Sequence, residues 1–127
     1  MEKSLDIKQY SALALAFLGD AVYEIYVREK ILSKTNAPAD VLHKMAVKYV
    51  KAGAQCEAFD RIEHLLTEEE LAVFKRGRNA KTNTKAKNAG LAEYKKATGF
   101  EALLGYLHLE NRQERLAEIL AACGEFE

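Results

Sequence analysis

The apolar segment from residue 11 to residue 32 constrains the fold of this chain more than any other part of it. Placed at the helical interval of about 100° per residue, its apolar side chains lie on all sides of the axis. The residues within about 40° of Asp20 are Leu13, Ala16, Val27 and Ile31. The residues on the opposite side are Leu18, Val22 and Ile25. A helix that is apolar nearly all round is buried. We therefore expect a central helix from Ser11 to Leu32.

The remaining sequence favours helices throughout. It is rich in Ala and Leu, has one Pro and no Trp, and nowhere alternates as a half-buried strand would. Apolar residues make up 49% and charged residues 30%, which excludes disorder by composition. We predict an all-α fold of about six or seven helices that forms a single domain over residues 1–127.

Local capping patterns predict several helix ends. Thr67 with Glu70 and Thr98 with Glu101 each match a capping box, so each pair predicts a helix start. The second of these starts implies a separate helix before it, over residues 91–97. Further helix boundaries are predicted at Pro38, Gly77 and Asn111.

Neither a membrane span nor a secretory signal is predicted. The longest run without a charged residue is Gln9–Gly19, of 11 residues, and a spanning helix needs about 20. The first three residues, Met-Glu-Lys, open no apolar signal segment, so we expect a cytoplasmic protein. Cys56 and Cys123 form no motif, and we expect both to be reduced thiols.

Asp20 is the anomaly of the central helix. An ionised carboxylate on the apolar side of a buried helix is unfavourable unless protonation, a basic partner or a metal ion compensates it. Glu24 follows one turn later, and two acids at this spacing repel each other, which favours a nearby cation. A buried Asp that binds backbone amides, Lys or Arg is the alternative.

Glu101 has two interpretations. As the third residue of a Thr98 capping box it needs no further role. As an inward-facing acid it could meet Asp20 where two helices cross, and Gly105, one turn later, would let another backbone approach closely. Oxygen ligands of this type suit Mg²⁺, with Mn²⁺ as a substitute.

Basic residues are concentrated between Lys75 and Lys96, where eight of them accompany one acid although the whole chain has no net charge. Such a block indicates a phosphate-rich partner, and a solvated loop is the alternative. A second basic stripe, Lys44, Lys48 and Lys51, has the same two interpretations. The candidate phosphate contacts are Lys44, Lys48, Arg76, Arg78, Lys81, Lys85 and Lys87.

Other kinds of site find little support. The three His residues lack the spacing of a zinc site, no Gly-rich loop precedes a helix, and no Ser belongs to a triad pattern. Asp20, Glu101 and the basic block fit one hypothesis, metal-assisted hydrolysis of a phosphodiester.

Two segments carry a family resemblance. Residues 16–22, Ala-Phe-Leu-Gly-Asp-Ala-Val, resemble the signature helix of the ribonuclease III family, Glu-Phe-Leu-Gly-Asp-Ala. Residues 98–103, Thr-Gly-Phe-Glu-Ala-Leu, resemble its second acidic motif, Asp-x-x-Glu-Ala. Residues 74–80 and 100–107 are similar to the Mini-ribonuclease III subfamily, which has only the catalytic domain and lacks the double-stranded-RNA-binding domain.

The resemblance implies the helical ribonuclease III endonuclease fold and a Mg²⁺-dependent endoribonuclease. It further implies a homodimer that cleaves double-stranded RNA and matures both ends of precursor 23S ribosomal RNA. Asp20 and Glu101 would be the catalytic residues and the metal ligands, and the candidate phosphate contacts would become candidate RNA contacts. With no second RNA-binding domain, affinity would be modest and strongly salt-dependent, and a ribosomal protein could assist.

The chain departs from the family pattern at two acids. Ala16 and Thr98 stand where the family usually has Glu and Asp, so half of the four-acid cluster is missing. Glu24 and Glu57 are the candidate substitutes. The departure also supports an alternative function, a non-catalytic helical module that binds ribosomal RNA precursors. For the dimer surface, the first helix offers Tyr23 or Val27.

Overall fold

The structure is a computed structural model that describes residues 6–81 and 89–124. In this part of the chain there are six α-helices, two short 3-10 helices and no strand. The α-helices are α1 (Ala12–Leu32), α2 (Ala39–Val50), α3 (Ala52–Ile62), α4 (Glu68–Asn79), α5 (Ala89–Leu109) and α6 (Gln113–Ala122). The 3-10 helices are Ile7–Gln9 and Glu63–Leu65. The predicted all-α fold is confirmed.

Helices α1 and α5, each of 21 residues, form the centre of the fold. They are the most extensively packed pair, and α4 covers another side of α5. The core between them is aromatic and aliphatic, with Tyr23 edge-on to Phe100 at 5.2 Å between ring centres. Phe59 of α3 stacks on Phe74 of α4 at 3.9 Å, which joins the outer helices to the same core.

The helix ends show which capping predictions hold. Ser11 caps α1 by accepting from the amide of Ala14, and Thr67 and Glu70 form the predicted capping box of α4. Pro38 precedes the first residue of α2, as expected for a helix start. Asn111 does not cap α6, contrary to the prediction: its backbone is left-handed with φ of 58°, and Arg112 precedes Gln113 with no side-chain cap.

Two other boundary predictions are also wrong. Thr98 is not a cap, because α5 is continuous from Ala89 to Leu109 and the Thr98 hydroxyl donates to the carbonyl of Tyr94 at 2.9 Å. Gly77 does not end α4, which continues to Asn79. The glycine instead serves helix packing, since a Cβ there would lie 2.8 Å from the Cβ of Ala102.

A buried ion pair ties α4 to α6. The side chain of Glu70 is fully buried, and Arg115 donates to its two carboxyl oxygens at 2.8 Å and 2.7 Å. Arg115 also donates to the carbonyl of Leu65, and its guanidinium holds the pKa of Glu70 below its usual range. Because the charge is fully paired, its burial is tolerated.

Two further sequence predictions concern the cysteines and a membrane span. Cys56 and Cys123 are free thiols whose Sγ atoms lie near the carbonyls of Glu93 and Ile119. Within residues 6–81 and 89–124, no helix has both the length and the apolar character needed to cross a membrane.

Candidate functional site

Two glycines bring the backbones of α1 and α5 into direct contact. A Cβ at Gly19 would lie 1.7 Å from the carbonyl oxygen of Glu101, and one at Gly105 would lie 1.9 Å from that of Leu15. No side chain fits at either position, so only glycine allows this crossing. The predicted role of Gly105 is confirmed, and Gly19 is its counterpart on α1. The crossing places residue 20 next to residue 101.

The side chains of Asp20 and Glu101 meet at this crossing, where the charge of Asp20 acts on the Glu101 carboxyl group. The burial of Asp20 differs from the sequence prediction. Asp20 is exposed, and Glu101 is the more buried member of the pair. We refer to these two side chains as the acidic pair.

The pKa of Glu101 is raised from 4.5 to about 7. Burial is the largest cause, because it disfavours the charged form, and the neighbouring charge of Asp20 acts in the same direction. A hydrogen bond from Gln55 opposes both, because it stabilises the carboxylate. Perturbed carboxyl groups of this kind are typical of catalytic and metal-binding sites.

Gln55, which the sequence interpretation missed, is the third polar group of the site. It is 3% exposed, and its Nε2 donates to the carbonyl of Val50 at 2.8 Å and to Oε2 of Glu101 at 3.3 Å. Among the described residues, its Oε1 is the only buried side-chain nitrogen or oxygen with no protein hydrogen-bond partner. Such an unpaired acceptor costs about 1–3 kcal/mol. One sequence signal existed, because Gln55 lies one turn before the inward-facing Phe59.

Neither candidate substitute acid joins the acidic pair. Glu24 forms an ion pair with Arg28 at 3.0 Å, and Glu57 is exposed on α3. In the part of the chain that the structure describes, no cluster of three or more His, Cys, Asp or Glu side chains is arranged to hold a metal ion.

The acidic pair nevertheless fits a hard divalent cation. Its donors are carboxyl oxygens, the ligands that Mg²⁺ prefers, and Mg²⁺ commonly takes only one or two protein carboxylates and keeps its water. A cation would also relieve the repulsion that helps raise the pKa of Glu101. The donor set and its electrostatics therefore suit such an ion.

The candidate RNA contacts lie on two helices and the segment after α4. Lys44 and Lys48 are exposed on α2, and Lys81 is exposed just beyond α4. Arg76 is exposed and donates to the carbonyl of Tyr10 at 3.2 Å, while the Arg78 guanidinium lies 5.5 Å from the centre of the Phe74 ring. The other two candidates, Lys85 and Lys87, lie outside the described residues.

The exposed apolar side chains of α1 differ from the predicted dimer residues. Tyr23 and Val27 are buried in the core of this chain, at 2% and 0% exposure, so that prediction is wrong. Phe17 and Ile25 are instead 84% and 61% exposed. Ile25 also lines a groove of about 450 Å³ between α1 and α6, which includes Leu116. Phe17 precedes Asp20 by three residues.

Comparisons with known proteins agree with this geometry. The family model described as Ribonuclease III domain matches residues 13–112. Mini-ribonuclease 3 of Clostridium tetani is 52% identical over 116 residues, covering 91% of this chain and 77% of that protein. Mini-ribonuclease 3 of Enterococcus faecalis is 50% identical over 120 residues, covering 93% and 91%.

A solved structure gives the same result in three dimensions. A crystal structure of a Fusobacterium nucleatum protein has a TM-score of 0.80 and 35% identity, with 93% of this chain and 94% of that one covered. Since the family model matches most of the chain and relatives are about half identical along most of their length, this chain belongs to the ribonuclease III family of endoribonucleases.

Proposed function

We propose that this endoribonuclease binds Mg²⁺ through Asp20 and Glu101, with Mn²⁺ as a substitute, and cleaves double-stranded RNA as a homodimer. The observation that carries the proposal is the meeting of the acidic pair where the α1 and α5 backbones touch. The ribonuclease III family acts on double-stranded RNA and generally depends on a divalent metal. The assignment of the metal to these two residues rests on the family resemblance and on the position of the acidic pair.

The two carboxyl groups have different roles in this proposal. Glu101 is held inside the helix crossing and sets the position of the site, while Asp20 faces solvent and remains accessible to RNA. Asp20 and Glu101 would hold a divalent ion, which would supply an activated water and stabilisation of the leaving oxygen. Glu101 must lose its proton before it can act as an anionic ligand, because burial raises its pKa to about 7.

Basic side chains hold the RNA backbone in the proposal. Double-stranded RNA is recognised mainly through its shape, phosphates and 2′-hydroxyl groups. Lys44, Lys48 and Lys81 are exposed and suited to phosphate contacts, and Arg76 and Arg78 extend the basic surface along the last turn of α4. Affinity should therefore depend strongly on salt.

A homodimer would let one enzyme cut both strands, with one acidic pair facing each. The support in this chain is the exposure of Phe17 and Ile25, large apolar side chains on the helix that carries Asp20. Exposed apolar surface of this kind is typical of protein interfaces.

The proposed substrate is precursor 23S ribosomal RNA, cut at both ends of the mature sequence, in the cytoplasm. This assignment rests on the similarity to proteins named Mini-ribonuclease 3. A ribosomal protein bound to the precursor would strengthen an interaction that depends on a single small domain.

Cleavage of a precursor ribosomal RNA duplex tests the metal site. Asp20→Asn and Glu101→Gln should abolish cleavage and leave the circular dichroism spectrum unchanged, and a chelator should do the same to the wild type. Glu57→Gln is the matched control, because it removes an exposed carboxylate from α3 and should cut normally. Wild-type rates for Asp20→Asn would refute the assignment, and duplex binding without metal-dependent cleavage by the wild type would favour the non-catalytic module.

Salt dependence tests the basic surface. Replacement of Lys44, Lys48 and Lys81 by Ala should reduce the slope of log affinity against log salt by roughly 0.7–0.9 for each phosphate that the variant no longer neutralises. Binding can be followed with the cleavage-inactive Asp20→Asn protein. An unchanged slope would show that these residues form a solvated surface.

A further inference from the structure

We propose that Gln55 is the positioning residue of the metal site: its amide fixes the carboxylate of Glu101 for the divalent cation. The inference rests on the proposed function, because it assumes that Glu101 is a metal ligand. Three observations carry it, namely the burial of the Gln55 side chain, the two bonds of its Nε2 and the unpaired Oε1.

The orientation of the Gln55 amide is determined by its neighbours. Nε2 faces the carbonyl oxygen of Val50 and Oε2 of Glu101, two groups that accept hydrogen bonds. Rotating the amide by half a turn would place Oε1 against these acceptors. The observed orientation therefore uses both N–H bonds, one to the end of α2 and one to the acidic pair.

This arrangement connects three helices at Glu101. Val50 is the last residue of α2, Gln55 lies in the first part of α3, and Glu101 is in the middle of α5. The amide thus ties a carboxyl oxygen to the end of α2, where the backbone N–H of Lys51 also donates to the carbonyl of Val47. Hydrogen bonds from such neighbouring groups orient metal-binding side chains, and their removal typically reduces metal affinity 10–100-fold.

The unpaired Oε1 indicates that Gln55 does more than fill space. A Met side chain has a similar length and would fill the same volume without the unpaired Oε1, although it would remove the donor to Val50 and Glu101. The amide that is present gains its donor toward Glu101 together with an acceptor that nothing in the described chain satisfies. Fixing the Glu101 carboxylate is the function that accounts for both.

A Mg²⁺ titration of the RNA-free protein tests the proposal without measuring cleavage. Nuclear magnetic resonance would follow the backbone amides around residues 20 and 101 in the wild type and in Gln55→Met. The dissociation constant for Mg²⁺ should rise 10–100-fold in Gln55→Met, while its thermal midpoint stays close to that of the wild type. Gln113→Met, the same change on the exposed face of α6, should alter neither.

The possible results separate the two proposals. An equal Mg²⁺ affinity in Gln55→Met and the wild type would overturn the positioning role, whatever the thermal midpoint. A wild type that does not respond to Mg²⁺ would instead refute the metal site itself. If Gln55→Met does not fold, the wild-type spectrum decides: the side-chain amide signals of Gln55 should move with Mg²⁺ while those of Gln113 remain fixed, and unmoved Gln55 signals would refute the inference.

Discussion

Glu101→Gln should stabilise the metal-free protein at alkaline pH while it inactivates the enzyme. The pKa of Glu101 is about 7 in the folded chain, above its ordinary 4.5, because burial and Asp20 disfavour its charge. The folded state therefore keeps a proton that the unfolded chain releases. From this group alone, the free energy of unfolding is highest below pH 4.5 and falls as the pH rises to about 7.

The size of the effect follows from the same two values. A rise in pKa from 4.5 to about 7 corresponds to about 3 kcal/mol, and partial solvent access reduces the expected effect to roughly 1–3 kcal/mol. Gln has almost the same volume as Glu and no charge. The variant should therefore be more stable than the wild type by that amount at pH 8, and the two should differ by less than about 1 kcal/mol at pH 5.

Urea unfolding in the presence of a chelator, at equal protein concentration and at both pH values, measures this difference. Glu57→Gln serves as the control, since an exposed carboxylate should change stability by less than about 0.5 kcal/mol at either pH. Addition of Mg²⁺ at pH 8 should stabilise the wild type and leave Glu101→Gln unaffected. If the free energy of unfolding of Glu101→Gln differed from that of the wild type by the same amount at pH 5 and pH 8, the electrostatic reasoning would be refuted.

Two further predictions concern the contacts between helices, at the crossing of α1 and α5 and at the ion pair between α4 and α6. Gly19→Ala should destabilise the fold by more than about 2 kcal/mol, because its Cβ would collide with a backbone carbonyl. A Cβ at Gly90 would have nothing within 4 Å, so Gly90→Ala should be neutral or stabilise the fold by up to about 1 kcal/mol. Thermal unfolding measures both. Arg115→Ala should cost about 3–5 kcal/mol because it leaves the charge of Glu70 buried and unpaired, and Arg112→Ala, from an exposed pair, should cost less than about 1 kcal/mol. Equal destabilisation within either comparison would contradict the argument.

Capping patterns predicted one helix start and failed at another for a physical reason. Thr67 follows the extended residue Leu66, so its side chain is available to cap a new helix. Thr98 presents the same sequence pattern, but the residues before it are already helical, and its hydroxyl bonds to Tyr94 within that helix. Local sequence does not distinguish these two situations, because the difference lies in how residues 91–97 pack.

The wrong burial of Asp20 shows what a helical projection leaves out. Leu13 and Ile31 lie on the same side of the projected helix, yet they are 40% and 3% exposed. α1 is about 30 Å long, and different helices cover it along its length. A projection averages over that length, so it predicted the apolar character of the helix but not which residues near its middle face solvent.

Packing also accounts for the two acids that this chain lacks. Ala16 and Thr98 are only 6% and 7% exposed, so an ionised side chain at either position would lose most of its hydration. The backbone contact at Gly19 and the α4 contact at Gly99, where a Cβ would lie 2.7 Å from Phe74, leave α5 little freedom to move around Glu101. A carboxylate placed so firmly needs fewer companions, because Mg²⁺ can complete its coordination with water and phosphate oxygens. The geometry of the crossing, and not the number of acids, is then the feature on which a metal site in this chain depends.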